Sequence, residues 1–373
     1  MREDARGRGV IGPVYAVMAD NLEPLPPALS APEASGARHR RRPRYPGKYP
    51  RRFEQKYKEL DPSQHADTVA KVLASGKTPA GTHRPIMVPE ILEVLAPKPG
   101  EIAADCTLGY GGHAQEILPR LLPNGHLVGL DVDPLELPKT EARICSLGFG
   151  PEVFTAKRSN FAGLPQALVE AGFDQADVIV ADLGVSSMQL DNPERGFSMK
   201  NEGPLDMRMN PRRGRPASEL LAKIRPDELA DLLAENADEP HARALGQALA
   251  GQRFETTRAL ASAIELALPR IRDTEVALSV RRVFQGLRIA VNDEFQALDA
   301  FLRNLPGCLK PGGRVAVLTF HSGEDRRVKK AFAVGKREGV YSQIAEEIVQ
   351  PSAEERRANP RSSPAKLRWA RKA

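Results

Sequence analysis

From Pro99-Gly100 onward the apolar residues fall into short blocks whose period keeps changing. Glu101 to Cys106, His126 to Asp133 and Asp177 to Asp182 are brief, largely aliphatic runs of strand length, and Val153 to Ala156 is a weaker one. Between the first two lies Gly112 to Leu122, with helical spacing. Far downstream, Asn292 to Leu305 reads as an amphipathic helix, Leu309-Lys310-Pro311-Gly312-Gly313 as a turn and Arg314 to Phe320 as another buried strand. Strand and helix signals that alternate in this way predict an α/β fold with a mostly parallel sheet covered on both faces.

Two stretches depart from that alternation. Residues 206–288 become rich in Ala and Leu at helical spacing from Ala217 on, with almost no strand signal, which predicts an all-helical insertion between residues 83–205 and 289–373. Residues 1–60 carry no apolar periodicity, hold eight prolines before Arg51 and include the run Arg38 to Arg44, so they read as a disordered basic extension. A short helical lead-in is expected over 61–82, and a second short helix over Pro89 to Leu95.

Composition adds a bound on what the protein does. With 41% hydrophobic residues and a mean hydropathy of −0.39, the chain can bury a core yet has no apolar run near the roughly 18 residues of a spanning helix. Three cysteines without C-x-x-C spacing argue against a disulfide framework or a zinc knuckle and for the cytoplasm. The net charge of +6 equals the excess over 1–60, where 13 Lys and Arg face 7 Asp and Glu, so the body is neutral. Any nucleic-acid argument must therefore rest on local patches such as Arg208 to Arg215 or the acid-free stretch from Arg356 to Ala373.

The chemistry concentrates after the first strand, in Asp105-Cys106-Thr107-Leu108-Gly109-Tyr110-Gly111-Gly112-His113. Glycines there let the backbone approach a ligand and aim helix N-terminal amides at it. Gly109, Gly111 and Ala114 fit G-x-G-x-x-A, and Asp131 stands where a ribose-binding acid is expected. This pattern alone fits NAD as well as S-adenosylmethionine. The turn Leu309 to Arg314 favours the latter, and no hydride-transfer constellation is evident. Asp182-Leu183-Gly184-Val185-Ser186-Ser187 ends the fourth strand at the ligand-binding edge, a polar loop from Gln189 to Met209 follows, and His321 lies beyond the late strand on the same edge. An NAD-dependent oxidoreductase and a non-catalytic ribosome assembly factor are the rival classes.

At these residues the chain resembles the ribosomal RNA small subunit methyltransferase H family, also called MraW. The likeness spans His83 to Arg371 and includes D-x-T-x-G-x-G-G-H, DLGVSS-x-QLD, RGFS followed by GPLDMRM, FQ-x-LRI-x-VN-x-E, PGGR, FHS-x-EDR, and NPR ending in AKLR. The resemblance implies a Rossmann-like class I S-adenosylmethionine-dependent methyltransferase domain with an inserted helical domain. It also implies methylation of a cytidine N4 amino group in the decoding region of 16S ribosomal RNA. The neutral body and scattered basic patches favour the small subunit or a late assembly intermediate over short RNA, and no metal-ligand cluster or membrane span is read in the sequence. Cofactor contacts would fall on Gly111, Gly112, His113, Asp131, Phe161, Asp182 and Gln189, beside Gly109, with Asp182 also the catalytic acceptor. Arg195, Arg208, Lys366 and Arg368 are expected on phosphates, and Phe197 and His321 at the substrate RNA.

Overall fold

Seven strands form one sheet in the order β3-β2-β1-β4-β5-β7-β6. The computed structural model describes residues 85–200 and 202–373, so the extension expected over 1–60 and the lead-in over 61–82 lie outside the described residues. Strands β1 (Ile102–Asp105), β2 (His126–Asp131), β3 (Phe154–Arg158), β4 (Ala176–Asp182) and β5 (Leu309–Thr319) pair in parallel. Their order reverses between β1 and β4, the place where an open α/β sheet leaves a crevice at its carboxyl edge. Because β1, β2 and β4 each end on an aspartate, Asp105, Asp131 and Asp182 reach that edge together.

Both faces of the sheet are covered, which explains why its strands read as unbroken apolar runs. On one face α1 (Val88–Leu95), α2 (Gly112–Leu121) and α3 (Leu137–Ser146) bury Ile91, Leu95, Ile117, Leu121 and Ile144 against Leu127, Val178 and Val180. On the other, α4 (Leu164–Glu170), α11 (Glu294–Cys308) and α12 (Ser322–Arg337) pack Leu168, Phe301, Leu305 and Phe332 on Val128, Ile179 and Val317. A short helix, α5 (Ser187–Asp191), follows β4 and is closed at its start by a capping box between Ser186 and Gln189.

A third apolar cluster belongs to the helices α6 (Ala217–Lys223), α7 (Pro226–Ala237), α8 (Ala242–Leu249), α9 (Thr257–Ala267) and α10 (Asp273–Val291). Phe197, Leu205 and Met207 join it from the loop after α5. The helix α10 ends at Asn292, and Asp293, in the left-handed region at φ 50°, turns the chain into α11.

The sheet departs from the sequence-based expectation at its far side. Strand β5 begins at Leu309 rather than Arg314, because Pro311-Gly312-Gly313 is taken up as an irregularity in its pairing with β4, with Gly312 at φ 75°. Beyond it, β7 (Lys366–Lys372) runs antiparallel between β5 and β6 (Tyr341–Ile344), and α13 (Ala353–Ala358) lies in the connection from β6 to β7. Neither of these last two strands was expected. The run KLRWARK carries four cations, which masks its alternation.

Candidate active site

The turn between β1 and α2 is built around two left-handed glycines, Gly109 at φ 48° and Gly111 at φ 79°. A Cβ on Gly111 would stand 3.1 Å from Ile144 and Thr140, so α3 packs directly against the turn. The Gly109 amide donates to Asp131 Oδ2 (2.7 Å), and the Asp133 amide donates to Asp131 Oδ1 (2.8 Å). Each Asp131 oxygen thus keeps a lone pair for a ligand hydroxyl, the arrangement a ribose diol needs. Burial raises the Asp131 carboxyl to about 6 despite those two amides.

A cleft of ≈ 960 Å³ opens over this edge, lined by Gly109, Gly112, His113, Asp131, Phe161, Asp182 and Gln189 together with the residues described below. Gly111 supports the turn from beneath and is not among the lining residues. Phe161 sits on the short turn after β3, edge-on to Phe301 at 5.7 Å. The His113 ring, buried at the start of α2, bonds through Nε2 to the Ile86 carbonyl (3.0 Å) and places Nδ1 3.8 Å from Asp182 Oδ2.

Asp182, the third of the strand-end acids, keeps one buried oxygen open. Its backbone amide donates to Thr107 Oγ1 (2.6 Å), which fixes the residue to the glycine turn, while its Oδ1 is buried with no hydrogen-bond partner. A buried acceptor left open costs free energy that a ligand donor would recover. Burial, and then the charge of Glu324, raise this carboxyl to about 7. Glu324 lines the same cleft: Oε2 accepts the Phe320 amide (2.8 Å) and Oε1 lies 3.1 Å from His321 Nε2. Burial pulls the Glu324 carboxyl upward, but His321, Arg288 and the Phe320 amide outweigh it and hold it below its ordinary value. Arg288 in turn makes a two-pronged pair with Glu294 at 2.8 Å on each arm.

The residues expected on the RNA are distributed differently. Arg195 does not reach the cleft: it is buried, donating to Asp133 Oδ2 (2.7 Å) and to the Arg208 and Met209 carbonyls. Phe197 is 6% exposed inside the helical core, so it has no face for a base. Arg208 is closed in a two-pronged pair with Asp206 (2.8 and 2.6 Å). Arg368 is buried against Asp325 of α12 (2.6 Å), which Lys366 also meets at 3.4 Å. His321 caps α12 and leans on Phe295, outside the cleft lining. For Arg195, Phe197 and Arg368 an acid or an apolar cluster distant in sequence supplies the partner, whereas Arg208 pairs with Asp206 two residues away.

Other cleft residues were missed. Asp133 joins the Asp131 turn to Gln189 Nε2 (3.0 Å), and Asn160, Arg288, Asn292, Asp293, Glu294, Glu324 and Arg361 line the walls. The FQ-x-LRI-x-VN-x-E, FHS-x-EDR and NPR strings contain most of these. The signal was present, but their strand-edge placement was not evident without the fold. Among the described residues no group of three or more His, Cys, Asp or Glu is arranged to hold a metal, and no helix is long and apolar enough to cross a membrane.

The seven-stranded sheet, with a glycine turn after β1 and acids at the ends of β2 and β4, is the Rossmann-like fold of a class I S-adenosylmethionine-dependent methyltransferase. The model of the MraW methylase family matches residues 80–373, and the chain belongs to that family. It is 48% identical over 344 residues to "Ribosomal RNA small subunit methyltransferase H 1" of Lachnoclostridium phytofermentans, covering 90% of this chain and 93% of the relative. To "Ribosomal RNA small subunit methyltransferase H 2" of Alkaliphilus metalliredigens it is 52% identical over 345 residues, 90% of this chain and 98% of the relative. Likeness to solved structures is slight: TrmN from Thermus thermophilus matches with a TM-score of 0.38 at 14% identity, over 77% of this chain and 48% of that chain.

Proposed function

We propose that the protein transfers a methyl group from S-adenosylmethionine to the N4 amino group of a cytidine in the decoding, P-site region of 16S ribosomal RNA. The substrate is the small subunit or a late assembly intermediate, which places the protein in the cytoplasm. Residues 83–205 and 289–373 form the catalytic domain, and 206–288 an inserted helical domain. Relatives named as ribosomal RNA small subunit methyltransferases support the RNA substrate. The choice of an amine rests on the open, buried Oδ1 of Asp182.

When bound, the cofactor supplies a sulfonium methyl already activated toward nucleophiles. The chain supplies position and a proton acceptor. Asp131, held by the Gly109 and Asp133 amides, receives the ribose hydroxyls, and the glycine turn lets the ligand lie against backbone. Asp182 Oδ1 accepts one N–H of the base amine, orienting a nitrogen whose lone pair is otherwise delocalised into the ring. Alignment of this kind contributes roughly 7–11 kcal/mol. Once the nitrogen bonds to carbon it carries positive charge and must lose one proton, which passes to Asp182, whose carboxyl at about 7 is matched to that transfer near neutrality.

The decisive measurement is nucleoside mass spectrometry of small-subunit RNA after incubation with the protein and cofactor bearing a deuterated methyl. Label is expected on the base of one cytidine, at nitrogen, and Asp182→Asn is expected to abolish it while leaving cofactor binding in place. Label on a ring carbon or a ribose would refute the assignment.

A further inference from the structure

With Arg195, Arg208 and Arg368 closed in ion pairs, the phosphate-binding charge must lie elsewhere on the cleft. The loop from Asp206 to Pro216 carries part of it, and the exposed Arg158 at the end of β3 also lines the cleft. Arg208 bridges Asp206 and the Gly214 carbonyl (3.3 Å), drawing the loop into a ring. Asn292 accepts the Met209 amide (2.7 Å) and donates to the Met207 carbonyl (2.8 Å), while Arg195 donates to the Arg208 and Met209 carbonyls from the other side. Pro211 and Pro216 remove two backbone freedoms more. This rigid ring carries Arg212 and Arg213 outward. Both are exposed, neither is paired with a carboxylate among the described residues, and Arg213, with Gly214 and Asn210, lines the cleft itself. Arg215, beside them, is drawn toward Glu219.

We propose that Arg212 and Arg213 form a preorganised clamp for the phosphates of single-stranded RNA flanking the base that enters the cleft. Two exposed guanidiniums with no carboxylate partner among the described residues are a charge match for a polyanion, and a planar guanidinium meets phosphate through two hydrogen bonds at once. Rigidity matters because the entropy of ordering the loop is spent in folding rather than in binding. The position matters too. A base taken out of its stack brings its own backbone to the mouth of the pocket that receives it, so the clamp lies where the flanking phosphates must pass. This assignment rests on the RNA substrate proposed above.

The test is binding of the full chain to unmethylated small subunits, and to an RNA fragment of the decoding region, across a salt series. Arg212→Gln with Arg213→Gln is expected to lower the slope of log affinity against log salt by about 1.4 and to weaken binding about tenfold at physiological salt. Calorimetric affinity for S-adenosylmethionine is expected to stay at the wild-type value, which also reports that the variant folds. An unchanged salt slope overturns the clamp, as does equal retention of an acidic peptide of matching charge, which would reassign the loop to a protein partner. If wild-type protein binds RNA through these arginines yet transfers no methyl to it, the clamp stands and the proposed reaction falls.

Discussion

Asp105, Asp131 and Asp182 end three neighbouring parallel strands, and burial raises their carboxyls to about 6, 6 and 7. Their contexts separate their roles. Asp131 accepts two backbone amides and holds lone pairs toward the cleft, so Asp131→Ala should weaken cofactor binding by about 1.5–3 kcal/mol without unfolding the protein, as read by calorimetry. Asp182 has an acceptor with no donor, so its proton governs both rate and stability. As the proton acceptor it must be ionised, and turnover should rise with pH through about 7, a rise that Asp182→Asn removes along with most of the activity. Stability runs the other way. The native state holds this proton up to about 7 while the unfolded chain releases it near 3.8, so the contribution is complete at low pH and lost as pH rises through 7. Urea unfolding of the ligand-free protein should therefore show Asp182→Asn gaining on wild type at pH 8 and losing most of that advantage by pH 5. Both acids were legible because strand ends in an open sheet face the ligand. Glu324 was not, because its importance depends on α12 returning beneath β5, and sequence shows only that His321 is near it.

At the scale of elements, the joint between α10 and α11 does more than turn the chain. Asn292, at the end of α10, holds the Met207 carbonyl and the Met209 amide, so it ties the loop after α5 to the helices. Asn292→Ala leaves both backbone groups unpartnered and should cost about 1–3 kcal/mol. Hydrogen exchange at Met209 is the direct readout, with faster exchange there than in α2 or β4. The glycine turn could be read from spacing alone because only glycine tolerates φ near +79° against a packed helix. The loop from Gln189 to Met209 could not: its arginine and phenylalanine look like binding groups in sequence, yet Arg195 and Phe197 are consumed by Asp133 and by the helical core. Periodicity finds faces of helices and strands, but carries no information on which loop side chains find buried partners.

At the scale of the whole molecule, the sheet depends on its last strand. Strand β7 pairs with β5 from Arg314 to Thr319 on one side and with β6 on the other, so removing Lys366 onward opens the long edge of β5 and leaves β6 without a neighbour. Such a truncation should lose the cooperative unfolding transition and aggregate through the exposed edge. The lone tryptophan, Trp369, stands opposite Ala316 in β7, and its fluorescence in the intact chain should report the same docking during refolding. The strand escaped the sequence reading because its cations suggest a basic tail, whereas in the fold Arg368 and Lys366 share the carboxylate of Asp325 on α12.

An order of chain events in biosynthesis follows from that placement. Strands β1 to β5 can associate as they leave the ribosome, but the flank of β5 stays open while α12, β6 and α13 are being made. Asp325, beside Glu324 on α12, meets Arg368 and Lys366 only when β7 slides between β5 and β6. A nascent chain that has not yet exposed Lys372 is therefore an unfinished catalyst, and the ribosome building it carries a polypeptide that has yet to acquire its methylating activity.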